Sequence, residues 1–183
     1  TGAIYDMDGH FVTRIQSSQH RFSIPLSLLP DHVKNAFLAA EDLRFYTHSG
    51  FDPIRILGAV SANIRSGSYE QGASTITQQL IKLSPLSNKK TLARKAEEIW
   101  LSIQLENTCT KDEILEMYLN FIYFGKGAYG IEAAAKTYFG ISASKLSPAQ
   151  AACLAAIIKA TWPEKEVLHV NEDYAKYLEF MGP

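Results

Sequence analysis

Four clusters of reactive side chains stand out along this sequence. The first is Glu41-Asp42, followed by Phe45, His48 and Gly50. Glu41 stands four residues after Phe37 and four before Phe45, so a helix places its carboxylate between two aromatic rings. Partial desolvation raises the proton affinity of such a group and suits it to general base work. Asp42 projects about 100° further round the same helix and meets different surroundings. A solvated acidic helix end accounts for these residues equally well.

The second cluster is the run Gln71-Gly72-Ala73-Ser74-Thr75-Ile76-Thr77-Gln78-Gln79-Leu80-Ile81-Lys82. A glycine loop entering a helix leaves backbone N–H groups free, and these attract anions. Ser74 and Thr75 add hydroxyls and Lys82 adds a charge, a combination suited to phosphate or diphosphate. No Gly-Lys-Ser/Thr follows the glycines, so this is not a nucleotide P-loop. The plainer alternative is an N-cap with a polar helix face.

The third cluster is Arg94-Lys95-Ala96-Glu97-Glu98. Leu92, Ala96, Ile99 and Ile103 recur at helical spacing and predict one buried stripe. Glu97 points away from it and Glu98 lies beside it, one turn after Arg94, so Glu98 is the better site carboxylate. A surface Arg94–Glu98 pair is the alternative. Lys89, Lys90, Arg94 and Lys95 together form a basic group able to meet a diphosphate. The fourth cluster, Glu116-Met117-Tyr118-Leu119-Asn120 with Gly125, Gly130 and Tyr138-Phe139-Gly140, reads mainly as structural, with Tyr118 and Asn120 ordering the fold.

The elements that must position these groups are mostly helical. Residues 1–30 read as extended or irregular, with a turn signal at Asp8-Gly9. Asp31 is the expected N-cap of a helix through Val33, Phe37, Ala40 and Leu43. Asp52-Pro53 opens a second helix toward Gly67, and residues 66–72 read as a flexible loop. Further helices are expected over 75–83, 90–106, 110–121, 131–138 and 147–160, two of them opened by the capping boxes Thr110–Glu113 and Ser147–Gln150. The fold class is mainly α.

The 183 residues fit one domain, and 46% hydrophobic against 20% charged suffices for an ordinary core. A net charge of −1 gives no basic excess, so no nucleic-acid partner is expected. Cys109 and Cys153 are too few for a disulfide scaffold or a zinc site and read as small apolar side chains. No apolar run reaches the length of a membrane span, and no signal peptide is visible. Because the chain starts at Thr1, it reads as an excised segment or processed product, with an N-terminal anchor left open.

In this order, the stretches Glu41 to Gly50, Gly72 to Leu80, Arg94 to Glu98 and Tyr118-Leu119-Asn120 through Tyr138-Phe139-Gly140 resemble the peptidoglycan glycosyltransferases of glycosyltransferase family 51. That family comprises the polymerase domains of class A penicillin-binding proteins and the monofunctional enzymes. The likeness covers about residues 3–162. It implies a lysozyme-like helical domain with a smaller mobile lobe near the membrane. As boundaries it implies one glycosyltransferase domain over 1–183: an extended segment 1–30, a catalytic core 31–162 and a tail 163–183.

The resemblance also implies the partners and the chemistry. Lipid II and the growing glycan chain are the substrates, used at the outer face of the bacterial cytoplasmic membrane, with other cell-wall synthesis proteins as possible partners. The growing chain is the donor, and the 4-hydroxyl of lipid II attacks with inversion to give a β-1,4 bond. Glu41 would take the proton, and Glu98 would order the diphosphate site. Lys82, Lys90, Arg94 and Lys95 would neutralise the leaving diphosphate. Ser74, Thr75, Gln78 and Gln79 would bond phosphate or sugar, with Asp42, His48 and Asn120 completing the substrate site. No cofactor is required, and no metal ligand set is present; Mg2+ or Mn2+ at the diphosphate is an option.

Three positions depart from the family pattern. Gln150 replaces an acid, Lys159-Ala160-Thr161 replaces a Gln-Ala-Pro-like turn, and Lys90 replaces an arginine, losing its bidentate fork. Two rivals remain: a lysozyme-like hydrolase or lytic transglycosylase, and an inactive lipid II-binding module. The basic and hydroxyl groups over 72–82 argue against the first, and the presence of both Glu41 and Glu98 argues against the second.

Overall fold

The computed structural model describes residues 2–5, 11–15, 20–58, 74–83 and 92–161. The expected loop 66–72, the end of the 53-onward helix and the tail 163–183 lie outside the described residues. The fold is mainly α, as expected. Its helices are α1 (Asp31–Glu41), α2 (Ile76–Lys82), α3 (Leu92–Thr108), α4 (Lys111–Phe121), α5 (Ile131–Phe139) and α6 (Pro148–Thr161). A further helical turn runs over 53–58.

Short strands accompany them. Where the sequence suggests only extended chain, β1 (Gly2–Tyr5) pairs antiparallel with β2 (Phe11–Ile15), from Gly2 opposite Ile15 to Tyr5 opposite Phe11. β3 (His20–Arg21) lies parallel to β4 (Ala128–Tyr129). Asn120 locks the chain near this junction. Its Oδ1 accepts from Ile24 N at 2.9 Å, and its Nδ2 donates to the Ile24 and Glu116 carbonyls. Both polar atoms of that amide bond backbone, so Asn120 ties these segments together.

Helix α1 buries Val33, Phe37 and Glu41, each four residues after the last. Asp31 is not its N-cap. Pro30 takes that position without a side-chain cap, and Asp31 is the first helical residue, where its charge favours the helix dipole and pairs with Lys34 at 2.7 Å. α1 packs on α6, whose buried face is Ala151, Leu154, Ala155 and Ile158, the alanines allowing close approach. The capping boxes form as the sequence predicts. Thr110 and Glu113 bond reciprocally, and so do Ser147 and Gln150. A glutamine at position 150 therefore caps α6 as an acid would.

The predicted stripe on α3 is not its buried face. Glu98, Ser102 and Leu105 point inward, while Ala96 is exposed, Ile99 and Ile103 are half-buried and Trp100 is 59% exposed. The reason lies at Gly50. A Cβ built there would stand 2.7 Å from the Ser102 carbonyl carbon and 2.8 Å from Ile103 N. The 50-loop thus presses against the α3 backbone itself and turns a polar face of α3 toward the interior. Cys109 and Cys153 form no disulfide.

Candidate active site

Helix α2 is the centre of the site. Thr75 caps it, accepting from Gln78 N while Gln78 Oε1 accepts from Thr75 N, and Thr75 Oγ1 donates to the Gly50 carbonyl at 2.7 Å. Thr75 and Gln78, expected as substrate ligands, are occupied in building the helix; of their side-chain polar atoms, Gln78 Nε2 is buried without a hydrogen-bond partner among the described residues. All of Ile76 to Ile81 is buried.

The next residue along reaches the first carboxylate. Gln79 Nε2 donates to Glu41 Oε2 at 2.8 Å, and the buried Tyr118 hydroxyl donates to Gln79 Oε1 at 3.1 Å. Burial, then the nearby Glu41 and Asp42 charges, holds the Tyr118 phenol well above its usual pKa, so it stays a donor. The Glu41 backbone carbonyl accepts from the Arg55 guanidinium. Glu41 is 7% exposed and borders a cleft of about 310 Å³ with Ala40, Asp42, Arg44, Asp52 and Arg55. Its second oxygen, Oε1, is buried with no hydrogen-bond partner among the described residues. One oxygen is fixed and the other is unclaimed.

Asp42 does not share the helical phase expected for it. It leaves α1 at φ −159°, ψ 77°, and its Oδ2 accepts from His48 Nε2 at 2.8 Å and from Ile76 N at 3.0 Å. Asp42 and His48 are thereby tied to each other and to the start of α2.

One α-helical turn after Gln78, a second cluster forms. Lys95 Nζ lies 2.7 Å and Lys82 Nζ 3.5 Å from Glu98 Oε1, and Lys82 Nζ donates to Ser74 Oγ at 2.7 Å. Lys95 also reaches Ser74 Oγ at 3.4 Å. Burial lowers the Lys82 pKa; Glu98 works against that, and Lys95 and Arg94 reinforce it. Glu98 is 2% exposed, and its Oε2 has no hydrogen-bond partner among the described residues. Its close partners are these two lysines, where helical spacing alone suggests Arg94. Arg94 is half-buried and electrostatically coupled to Lys82. Lys90 lies outside the described residues.

The structure therefore joins Glu41 with Gln79, and Ser74 with Lys82, Lys95 and Glu98, both groups on or against α2. Sequence reasoning overlooks Arg55, and it overlooks the pair Arg44–Asp52, whose Nε–Oδ2 bond is 2.9 Å. Asp52 is expected only as an N-cap, a role it also fills by accepting from Arg55 N at 3.0 Å. Burial pushes the Asp52 pKa up, but the Arg44 bond and the backbone N–H groups outweigh it, leaving the pKa below its ordinary 3.8. A depressed folded-state pKa means the stabilisation is complete above pH 3.8 and fades as pH falls through the folded value. Asp52→Asn is expected to lower stability at pH 7 by about 2 kcal/mol. Urea unfolding at pH 7 and again below pH 3.8 checks this, because the gap from the unsubstituted chain must shrink on acidification.

Comparison with known proteins places the chain in a family. The family described as Transglycosylase matches residues 8–177. Penicillin-binding protein 1A/1B of Bacillus subtilis (strain 168) is 51% identical over 158 residues, covering 86% of this chain and 17% of that protein. Penicillin-binding protein 1A of Aquifex aeolicus (strain VF5) is 48% identical over 157 residues, covering 86% of this chain and 22% of that protein. Penicillin-binding protein 1A of Escherichia coli (strain K12) is 45% identical over 157 residues, covering 86% and 18%. The chain thus spans about a fifth of the length of these curated relatives. The resemblance carried by the four motifs is borne out at the level of the family. This chain belongs to the Transglycosylase family.

Proposed function

We propose that this chain is a peptidoglycan glycosyltransferase domain that polymerises lipid II into β-1,4-linked glycan, with inversion and release of undecaprenyl diphosphate. The observation that carries the reading is Glu41: one carboxylate oxygen held by Gln79, the other unpartnered, at the wall of a cleft. A base so fixed can accept the proton of the acceptor 4-hydroxyl as that oxygen attacks the donor sugar. The departing diphosphate carries negative charge away from the bond. Lys82 and Lys95, with the Ser74 hydroxyl between them, supply donors for it. Glu98 holds both ammonium groups in place, so it acts by ordering the cations.

This arrangement favours transfer over hydrolysis. An inverting hydrolase needs room for water between two carboxylates and no cation pair. Here the second carboxylate is bound to two lysines. Incubation with lipid II and, separately, with preformed glycan tests the reading. Polymer growth from lipid II is expected, whereas shortening of preformed glycan without growth would overturn it. Glu98→Gln keeps an acceptor but removes the charge that holds the lysines, and is expected to cut the polymerisation rate by about 10–100-fold. Initial rates on lipid II check this.

A divalent ion at the diphosphate belongs to the proposal only as a passenger of the substrate. Among the described residues no three His, Cys, Asp or Glu side chains gather as a ligand set. The lipid-linked substrate requires the cleft to lie at the outer surface of the cytoplasmic membrane. No helix among the described residues is long and apolar enough to cross a membrane. Leu43, Ile54 and Leu57 are exposed on or beside the cleft and support contact with a bilayer surface, while Phe51 and Ile56 are half-buried and Val60 lies outside the described residues.

A further inference from the structure

Behind the reactive carboxylate lies a second group of buried charges to which the mechanism above assigns no role. Glu106, on α3, has a side chain only 5% exposed. Its Oε1 accepts from Thr77 Oγ1 on α2 at 2.5 Å, and its Oε2 meets Lys111 Nζ on α4 at 2.7 Å. Oε1 also lies 3.8 Å from His48 Nδ1, too far for a hydrogen bond but close enough for charge to act at low exposure. His48 bonds Asp42, and the Arg55 guanidinium stands 3.9 Å from Asp42 Oδ1. Lys111 also covers the Phe45 ring at 4.5 Å.

One carboxylate thus touches α2, α4 and the turn that follows Glu41. The contacts have a direction. Thr77 is two residues before Gln79, the residue that fixes Glu41, and His48 fixes Asp42, the residue next to Glu41. Movement of Glu106 would carry to the base along both routes. A hydrophobic side chain in its place would fill space yet give Thr77 nothing to bond and leave Lys111 buried without a counter-charge.

We infer that Glu106 is a positioning residue for glycosyl transfer, setting Glu41 through Thr77 on α2 and through the His48–Asp42 turn. The inference rests on the glycosyltransferase reading. Such a role belongs to the reacting geometry and not to substrate capture, so it should appear in kcat and leave KM alone.

The test uses the whole chain in three forms besides the unsubstituted one. The pair Glu106→Ala/Lys111→Met removes both charges together, so no ion is left alone. Thr77→Val keeps the shape and removes only the hydroxyl. The third combines all three substitutions. On lipid II, the pair variant is expected to lose about 10–100-fold in kcat with KM within about twofold, because small misplacements of a reacting group have effects of that size. Thr77→Val is expected to lose several-fold alone and almost nothing on top of the pair, since the pair has already removed the carboxylate that Thr77 bonds. Unchanged kcat in a folded pair variant, or a loss confined to KM, overturns the inference. Should the pair variant not fold, Thr77→Val decides by itself, with unchanged kcat as the overturning result. Failure of the unsubstituted chain to extend lipid II would instead remove the glycosyltransferase reading.

Discussion

Glu41→Gln is expected to abolish polymerisation while the chain remains folded. Glutamine has the shape of glutamate, and its amide oxygen can still accept from Gln79 Nε2 in place of Glu41 Oε2. The replaced oxygen, Oε1, has no hydrogen-bond partner among the described residues, so its conversion to an amide nitrogen disturbs nothing that holds the helix. What disappears is the ability to take a proton. General base catalysis contributes about 10²–10⁴-fold, so the rate on lipid II should fall by at least that much. The melting temperature should stay within a few degrees. Polymerisation near the unsubstituted rate would place the base on another residue. Asp42 is a poorer substitute, because its Oδ2 accepts from both His48 and Ile76 N and the Arg55 guanidinium stands 3.9 Å from its Oδ1.

Gly50→Ala should be among the most damaging single methyls in the chain's described part. Gly50 sits at φ +87°, a conformation that costs an alanine about 1–2 kcal/mol. The added carbon would also meet three backbone atoms of Ser102 and Ile103 at 2.7–2.8 Å, and backbone cannot rotate aside. Strain and overpacking together are expected to cost about 3–5 kcal/mol. For a domain of this size that lowers the melting temperature by about 8–15 °C. Activity should suffer even where the variant is folded, because the Gly50 carbonyl accepts from Thr75, which caps the helix carrying Gln79 and Lys82. Thermal unfolding and lipid II turnover at low temperature measure the two effects separately. A melting temperature equal to that of the unsubstituted chain would show that α3 yields easily.

The features readable from the sequence are the local ones. A capping box is a bond between residues three apart, so Thr110–Glu113 and Ser147–Gln150 announce themselves without tertiary information. The inward turn of Glu98 relative to Glu97 is likewise a matter of helical phase. The face chosen for the rest of α3 misleads for a physical reason: apolar spacing marks Ala96, Ile99 and Ile103, but contact with a glycine backbone at residue 50 draws Ser102 inward instead. The partners of Glu98 depend on how α2 lies across α3. So do the Thr77–Glu106 bond and the hold of Arg55 on the Glu41 carbonyl. Periodicity within one element contains no information about these crossings. Arg55 and Glu106 have no signal of their own, since a charged residue on a helix is most simply read as solvated.

Helix α2 has seven residues, six of them buried, three of those polar. A helix that short does not persist in water by itself. It exists because the carboxylates of Asp42 and Glu106, the carbonyl of Gly50 and the hydroxyl of Tyr118 are waiting for its polar groups. The geometry of the candidate site therefore depends on the same contacts that keep this helix formed. Opening of this helix takes Gln79 off Glu41 and Lys82 off Glu98, so slow amide exchange along it should report the loss of both contacts.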